Sequence, residues 1–217
     1  MSGTLTLEQL SITRAGVPMV ALDLTVAPGE VLTIMGASGS GKSTALAAIL
    51  GTLAPAFRMT GRILLSGRDV TALPLHKRRI GLLFQDDVLF PHLSVGDNLA
   101  FALPPQLGGR RARRAAVERA LEQAGLPGFA PRDPATLSGG QRARVALMRT
   151  LLAEPCALLL DEPFSRLDAD LRAQIRSFVL DRVREQGLAA ILVTHDAEDA
   201  RAAAGRVVSP LGIALSP

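Results

Sequence analysis

The sequence is poor in aromatic residues and nearly devoid of cysteine. Its 217 residues include seven Phe, no Tyr and no Trp. Proteins that bind single-stranded nucleic acid usually stack bases on aromatic side chains, so this scarcity argues against that function class. Cys156 is the only cysteine, which excludes an intrachain disulfide and makes a reducing compartment the simpler expectation. Because Cys156 lies in an apolar stretch before a predicted strand, we expect a buried, inert thiol.

Signals for export and for membrane crossing are also missing from the sequence. The first residues contain no basic segment followed by an apolar one, so we expect no signal peptide. No uninterrupted apolar run approaches the roughly 20 residues that a membrane-spanning helix needs. We therefore expect a soluble chain that meets a membrane only through a partner.

The composition is that of a globular α/β protein. Hydrophobic residues make up 48% of the chain and charged residues 20%. Because aromatic residues are scarce, the core must be built from Leu, Val, Ile and Ala. The formal net charge is +4, and part of it lies in the arginine-rich run 110–114. Such a run is typical either of a polyanion-binding surface or of the solvated face of a helix. We favour the solvated face and expect no nucleic-acid partner.

The first part of the chain alternates strands with one glycine-rich segment. Residues 4–33 alternate apolar and polar side chains, which predicts antiparallel strands with a turn at Pro28-Gly29. The next predicted elements are a buried strand at 31–35, a helix at 42–50 closed by Gly51, and a strand-rich stretch at 61–84 ending in a strand at 80–84.

Proline and glycine then punctuate residues 86–137, which predicts a helical insertion in an α/β core. Its predicted helices lie near 94–102 and 111–124. The later elements are predicted as a helix at 139–153, a strand at 157–161, a helix at 168–186, a strand at 189–194, a short helix near 197–204 and a weak strand at 206–209. We expect one domain over 1–217, with a core formed by 1–85 and 138–217 and a helical subdomain formed by 86–137.

The glycine-rich segment after the strand at 31–35 is a phosphate-binding loop. Its residues match G-x-x-x-x-G-K-[ST] and are Gly36, Ala37, Ser38, Gly39, Ser40, Gly41, Lys42 and Ser43, followed by Thr44. Glycine lets successive N–H groups face phosphates without a Cβ in the way, and the following helix adds partial positive charge. Lys42 can reach the β- and γ-phosphates, and the Ser43 hydroxyl can bind Mg²⁺. We predict binding of a nucleoside triphosphate, although kinases, GTPases and ATPases all share this loop.

A second acidic site follows the predicted strand at 157–161. The strand ends in the adjacent carboxylates of Asp161 and Glu162. A solvated acidic turn is the plain alternative, but an ATPase with this loop needs an acid at the end of a neighbouring strand, beside Mg²⁺. Asp161 suits that position. Glu162 suits a general base that polarises the attacking water, which typically contributes roughly 10²–10⁴-fold in rate.

The segment Leu137-Ser138-Gly139-Gly140-Gln141 resembles the signature of ATP-binding-cassette (ABC) ATPases. By itself it is a helix start, in which Ser138 caps and two glycines leave N–H groups open. The set of motifs is more specific, because the phosphate loop, Gln85, the signature, the acidic pair, Asp168 and His195 occur in the order of that family. The resemblance covers nearly the whole chain and implies the ABC ATPase fold, with a P-loop core, an N-terminal antiparallel β subdomain and an inserted α-helical subdomain.

The resemblance also implies a mechanism. Two copies would close head-to-tail, and each ATP would lie between one phosphate loop and the Ser138-Gly139-Gly140-Gln141 segment of the other copy. Gln85 would sense Mg²⁺ and the attacking water. His195 would contact the γ-phosphate and position Glu162, and Asp168 would lie in the loop that crosses the dimer interface.

Segment 84–95 is similar to ATPases of importers that use periplasmic binding proteins, and stretches 133–147 and 159–168 are similar to the bacterial YnjD type. Thiamine-import ATPases are similar as well. These resemblances imply a peripheral subunit on the cytoplasmic face of the bacterial inner membrane, bound to permease subunits and indirectly to a periplasmic or extracellular binding protein. Phe84, Leu89, Phe90 and Leu93 would form the permease groove, or else pack inside the domain. An exporter or lipoprotein-release subunit and a soluble ATPase of a cofactor-assembly complex remain alternatives.

Two residues depart from the family pattern. The family usually places an aromatic residue near position 14 to stack on adenine, whereas this chain has Arg14, whose guanidinium plane can also stack. Arg166 stands where a small residue is commoner. Because the sequence ends shortly after His195, we also expect no C-terminal regulatory domain of the sugar-importer kind.

Overall fold

The structure is a computed structural model that describes residues 3–86 and 88–216. Its strands are β1 (Leu5–Arg14), β2 (Val17–Val26), β3 (Val31–Met35), β4 (Phe57–Leu65), β5 (Arg68–Asp69), β6 (Ile80–Leu83), β7 (Ala157–Asp161), β8 (Ala189–Thr194) and β9 (Val207–Val208). Its α-helices are α1 (Lys42–Leu50), α2 (Leu75–Arg78), α3 (Val95–Ala102), α4 (Arg110–Gln123), α5 (Gly139–Leu152), α6 (Ala169–Glu185) and α7 (Ala197–Ala203). A 3₁₀ helix spans Pro134–Thr136.

The chain forms two compact units. The first comprises Met1–Leu82, Cys156–Glu162 and Leu180–Pro217, and the second comprises Leu83–Pro155 and Pro163–Val179. The first unit therefore carries the phosphate loop, the acidic pair and His195. The second carries Gln85, the signature segment and Asp168. The subdomain bounds expected from the sequence stay a prediction.

The described residues form two sheets, and the first of them confirms the predicted antiparallel strands. One is antiparallel, with strand order β2-β1-β4-β5. The other has the order β6-β7-β8-β3-β9, and its pairs β7–β8, β8–β3 and β3–β9 are parallel. In that sheet Met35 lies opposite Thr194, and Asp161 lies opposite Val193. Because the three strands β3, β7 and β8 end at the same edge, the segments that follow them are brought together there.

The first unit has an aliphatic hydrophobic core, as the composition predicts. Buried Leu, Ile, Val and Ala side chains of both sheets and of α1 form one cluster. Cys156 packs at the margin of this cluster and is half-buried, so the expectation of a buried thiol is wrong. The residue precedes β7, where the chain has not yet entered the sheet.

Most predicted elements are confirmed with small shifts at their ends, but the strand-rich stretch 61–84 was placed too late. The strand β4 already begins at Phe57, and α2 lies within the predicted stretch. Gly61 and the polar residues around it interrupt the alternation of apolar and polar residues that predicts a strand. The β1–β4 ladder also has a register shift between Glu8 and Ser11, which breaks the alternation that marks a strand.

A buried hydroxyl in β3 gives a first prediction. Thr33 is fully buried, and its Oγ1 has no hydrogen-bond partner among the described residues. Since an unsatisfied buried polar group is destabilising, Thr33→Val should raise the free energy of unfolding by about 1 kcal/mol. Urea denaturation of both proteins measures the change.

The matched control for Thr33 is Thr71→Val. The Thr71 hydroxyl accepts a hydrogen bond from the Ile63 N–H at 2.8 Å, so its loss should lower the stability. A Thr33→Val protein that is clearly less stable than the wild type would contradict the assignment of an unsatisfied hydroxyl.

A buried amide of α3 holds the loop that precedes this helix in the second unit. Asn98 of α3 is fully buried, and its Nδ2 donates to the carbonyl oxygens of Phe90, Leu93 and Ser94 at 3.0–3.2 Å. Its Oδ1 accepts from the Phe90 N–H at 2.8 Å. The Asn98 side chain therefore replaces the main-chain pairing that the loop before α3 lacks, and it holds that loop in one conformation.

The arginine-rich run forms the start of α4, and the prediction of a solvated face is confirmed for Arg110, Arg111 and Arg114, which are exposed. Arg113 differs, because its guanidinium donates to the carbonyl oxygen of Ala100 at 2.7 Å. Arg113 thereby ties the end of α3 to the start of α4.

Candidate functional site

The phosphate loop joins β3 to α1 and has the backbone that its glycines predict. Gly39 and Gly41 have φ angles of 78° and 104°, which side chains rarely tolerate. A Cβ on Gly41 would lie 2.5 Å from the Met19 carbonyl oxygen. The helix α1 begins at Lys42 without a side-chain cap, so its first N–H groups can face an anion.

Lys42 is buried against this loop. Its Nζ donates to the carbonyl oxygens of Gly36 at 2.8 Å and Ala37 at 3.0 Å. The same ammonium lies 3.7 Å from Oε1 of Glu162. One cation therefore lies against the loop, beside the carboxylate of the residue that follows β7.

A buried hydroxyl in the loop fits a phosphate group. Among the described residues, Ser40 Oγ is buried and has no hydrogen-bond partner. Such an atom normally costs about 1–3 kcal/mol unless something satisfies it. Together with the open N–H groups of α1 and the Lys42 ammonium, it makes the loop suitable for the oxygens of a triphosphate.

The acidic pair lies at the end of β7. The Glu162 N–H donates to the Val193 carbonyl oxygen at 3.0 Å, and Glu162 has a φ of 44°, a strained value for a residue with a side chain. Burial raises the pKa of the Asp161 carboxyl, the neighbouring Glu162 charge raises it further, and Lys42 opposes both. The positive charge near Asp161 is therefore too small to offset the effects of burial and of the Glu162 carboxylate on its pKa.

A Mg²⁺ ion beside Asp161 would supply the positive charge that its carboxylate lacks. The ion prefers oxygen ligands and is usually held by one or two protein side chains together with water and substrate phosphates. Asp161 and the exposed Ser43 at the start of α1 supply a carboxylate and a hydroxyl. In the ranges 3–86 and 88–216 no cluster of three or more His, Cys, Asp or Glu residues suits a metal ion.

His195 joins the same cluster from the end of β8. Its Nδ1 lies 3.2 Å from Oε2 of Glu162, and its ring is 54% exposed. The Glu162 carboxylate therefore stands between Lys42 on one oxygen and His195 on the other. Three residues far apart in sequence meet because β3, β7 and β8 are adjacent and parallel.

The second unit carries the other predicted site residues. Ser138 Oγ accepts from the Gln141 N–H at 3.3 Å, and the Gln141 side chain accepts from the Ser138 N–H at 3.0 Å, which forms a capping box at the start of α5. A Cβ on Gly140 would lie 2.5 Å from Leu171 Cδ1, so a larger residue there would have to displace the Leu171 side chain. Gln85 is exposed, and the part it plays stays a prediction.

Two contacts in the site regions were not expected from the sequence. Arg14 lies directly opposite Phe57 in the β1–β4 ladder, and its guanidinium stacks over the Phe57 ring with 5.7 Å between Cζ and the ring centroid. Arg166 forms an ion pair with Asp86, the residue after Gln85. The antiparallel register would have revealed the first contact, whereas no local sequence signal indicates the second.

The fold and the cluster around Glu162 define a P-loop ATPase. Comparison with known proteins extends this class, since the sequence model of the family described as "ABC transporter" matches residues 19–165. The chain belongs to the ABC transporter family, and it is an ATP-binding protein and an ATPase of that family.

Two curated relatives and one solved structure illustrate the match. An uncharacterized ABC transporter ATP-binding protein, YnjD of Escherichia coli K12, is 53% identical over 178 residues, 82% of each chain. The thiamine import ATP-binding protein ThiQ of Jannaschia sp. is 47% identical over 93% of this chain and 86% of its own. The structure of cbiO1 from Clostridium perfringens, part of the ABC transporter complex cbiONQ, has a TM-score of 0.84 and 28% identity, covering 100% of this chain and 88% of that one.

These matches confirm the ABC ATPase fold and the similarity to the YnjD type and to thiamine-import ATPases. Several Fe(3+) import ATP-binding proteins are similar too, and the chain spans about half of their length. Within the described residues, no helix is both long and apolar enough to cross a membrane.

Proposed function

We propose that the whole chain is a single ABC ATPase domain that hydrolyses ATP to drive a membrane importer dependent on a binding protein. The observation that carries this proposal is the placement of Glu162 between Lys42 and His195 at the edge where the phosphate loop leaves β3. Relatives named as Fe(3+) and thiamine import ATP-binding proteins support the transport role.

In the proposed reaction Glu162 is the general base. Its carboxylate accepts a proton from the attacking water, and His195 holds that carboxylate in place. Lys42 neutralises charge on the β- and γ-phosphates. Ser43 and Asp161 would hold Mg²⁺, which would supply further charge neutralisation when bound.

The adenine would stack on Arg14. Because Phe57 lies behind the guanidinium, the Arg14 plane is already held on one side and has its other side available for a base. This arrangement replaces the aromatic residue that the family usually places there. We propose that it supports adenine binding at the turn between β1 and β2.

Catalysis would require two copies. The uncapped start of α1 lies in the first unit, and the capping box at Ser138 lies in the second. We propose that the Ser138–Gln141 segment of one copy completes the phosphate site of the other, in a head-to-tail dimer.

Mixing two inactive variants tests this dimer. Lys42→Ala removes the phosphate-binding cation, and Ser138→Arg blocks the signature segment, so each protein alone should lose nearly all ATPase activity. A mixed dimer contains one intact site. Because half of randomly formed dimers are mixed and each retains one of two sites, mixing should restore about a quarter of the wild-type rate. Thr33→Val in place of either variant is the control and should give about half of the wild-type rate, because its own dimers keep both sites and the mixed dimers keep one. Full ATPase activity of Ser138→Arg as a monomer would contradict the proposal.

The permease would dock on the second unit. Phe84, Val88 and Phe101 are exposed there, with Phe101 70% accessible, and Phe101 contacts the edge of Phe90 with 5.0 Å between ring centroids. Of the residues predicted from the sequence, Phe84 is exposed, whereas Leu89, Phe90 and Leu93 are half-buried. An exposed apolar surface of this kind is typical of a partner interface. It would place the chain at the cytoplasmic face of the inner membrane.

Co-purification tests the transport role. We expect a polytopic permease to co-purify with the tagged chain from membranes, and Phe101→Asp to weaken that association. A periplasmic or extracellular binding protein in the complex would separate import from export. Recovery of a soluble assembly complex alone would favour the alternative of a cofactor-assembly ATPase, and recovery of a permease without a binding protein would favour an exporter or lipoprotein-release subunit.

A further inference from the structure

A buried acid lies behind His195 and has no part in the reaction described above. Asp199 of α7 is only 2% exposed, and so is Thr194, the last residue of β8. Oγ1 of Thr194 lies 3.2 Å from Oδ2 of Asp199. Burying a carboxylate is costly unless hydrogen bonds compensate it, and the Thr194 hydroxyl is placed to donate one to Asp199.

The Thr194 hydroxyl makes a second contact on the other side of His195. It accepts a hydrogen bond from the Asp196 N–H at 3.0 Å. A hydroxyl has one hydrogen and two lone pairs, so it can accept from Asp196 while it donates to the Asp199 carboxylate. Thr194 and Asp196 are the two neighbours of His195 in the chain. The buried pair therefore fixes the backbone on both sides of the histidine.

Other contacts restrain the same short segment. Thr194 is in ladder register with Met35, which precedes the phosphate loop. The Asp196 side chain accepts from the Glu198 N–H at 2.7 Å and caps α7. His195 is thus the exposed residue of an otherwise anchored turn, and its Nδ1 lies 3.2 Å from Glu162.

We infer that Thr194 and Asp199 are positioning residues, which hold the His195 imidazole against the Glu162 carboxylate through the Thr194 hydroxyl. The inference rests on the proposed role of Glu162 and His195 in ATP hydrolysis. Asp199 supplies a fixed acceptor, the Thr194 hydroxyl transmits that restraint to the Asp196 amide, and the turn presents the ring.

Thr194→Val removes the hydroxyl and keeps the β-branched shape. A small displacement of a catalytic group can lower turnover strongly, so we expect kcat to fall by about 10- to 100-fold. KM for MgATP should change by less than about threefold, because the phosphate loop is untouched. Thr194→Ser keeps the hydroxyl and should restore most of the activity. Asp199→Leu keeps a side chain of similar shape, removes the acceptor of the Thr194 hydroxyl and should lower kcat in the same way, and it serves as the second variant if Thr194→Val does not fold.

Thr33→Val is the matched control for the loss of a hydroxyl. Thr33 is also buried, and it lies in the adjacent strand β3, but its hydroxyl has no partner among the described residues. Its substitution should leave kcat at the wild-type value. Equal kcat for wild-type and folded Thr194→Val protein would overturn the inference, as would a loss that Thr194→Ser does not repair.

A spectroscopic measurement separates this inference from the proposed function. The chain has three histidines, so the imidazole resonances of His195 can be assigned with a His195→Ala variant. Thr194→Val and Asp199→Leu should shift the His195 resonances while those of His76 and His92 stay in place. Unchanged His195 resonances would overturn the inference. If His195→Ala instead retained full ATPase activity, the proposed role of His195 would fail, but the resonances would still report whether Thr194 and Asp199 position its ring.

Discussion

Glu162→Gln is expected to lower ATP turnover by about 10²- to 10⁴-fold while ATP still binds, since a glutamine cannot accept the proton of the attacking water. The structure explains why binding should survive. The Glu162 carboxylate lies 3.7 Å from the Lys42 ammonium. When glutamine removes that negative charge, the ammonium attracts phosphate more strongly. The amide oxygen can still accept a hydrogen bond from His195.

Steady-state hydrolysis and the binding of a fluorescent ATP analogue measure the two properties separately. Because the bound ATP would not be consumed, light scattering after gel filtration should also show a persistent ATP-bound dimer. Glu122→Gln, on the exposed side of α4, is the control for the loss of one carboxylate and should behave like the wild type. Near-normal hydrolysis by Glu162→Gln would remove Glu162 from the role of base.

The second large effect is expected from a buried arginine that fastens α1. Arg78 is 4% exposed, and its guanidinium donates to the carbonyl oxygens of Ala48 and Ile49 at 3.0 and 2.8 Å, in the last turn of that helix. Its other nitrogens donate to the carbonyl oxygens of Thr71 and Leu73. Burial lowers the pKa of this guanidinium, but an arginine still keeps its charge at neutral pH.

Arg78→Met should therefore destabilise the protein by about 3–5 kcal/mol, because it leaves several buried carbonyl groups without a donor and removes a cation from a helix C-terminus. For a chain of this length, the melting temperature should fall by about 10 °C. Arg78→Lys should recover only part of the loss, since one ammonium cannot reach all four carbonyl oxygens.

Lys77→Met is the matched control for Arg78, because it removes a neighbouring cation that is exposed. Its melting temperature should stay close to that of the wild type. The Arg78 contact also constrains Gly51, where a Cβ would lie 2.6 Å from the guanidinium, so Gly51→Ala should destabilise in the same direction. Equal stability of the Arg78→Met and Lys77→Met proteins would show that the hydrogen bonds from Arg78 to the end of α1 do not stabilise the protein.

Local patterns predicted most of the secondary structure and the chemistry-bearing motifs. The run of apolar residues before Gly36 indicated a buried strand, and the glycine spacing indicated the phosphate loop, because both properties depend only on neighbouring residues. The start of β4 is not predicted, because it depends on pairing with a distant strand and not on a pattern of neighbouring residues. A register shift and a glycine interrupt its alternation, and only pairing with β1 makes it a strand.

By itself, the sequence determined the motifs that predict the chemistry: the Lys42 cation, the adjacent acids Asp161 and Glu162, and the signature that starts at Ser138. Only the tertiary structure decided which of them meet and what supports them. Glu162 stands between Lys42 and His195, and the buried pair of Thr194 and Asp199 anchors the turn that carries this histidine. The physical reason is that motifs arise from residues close together in the chain, whereas these contacts depend on the order and register of parallel strands joined by long crossovers.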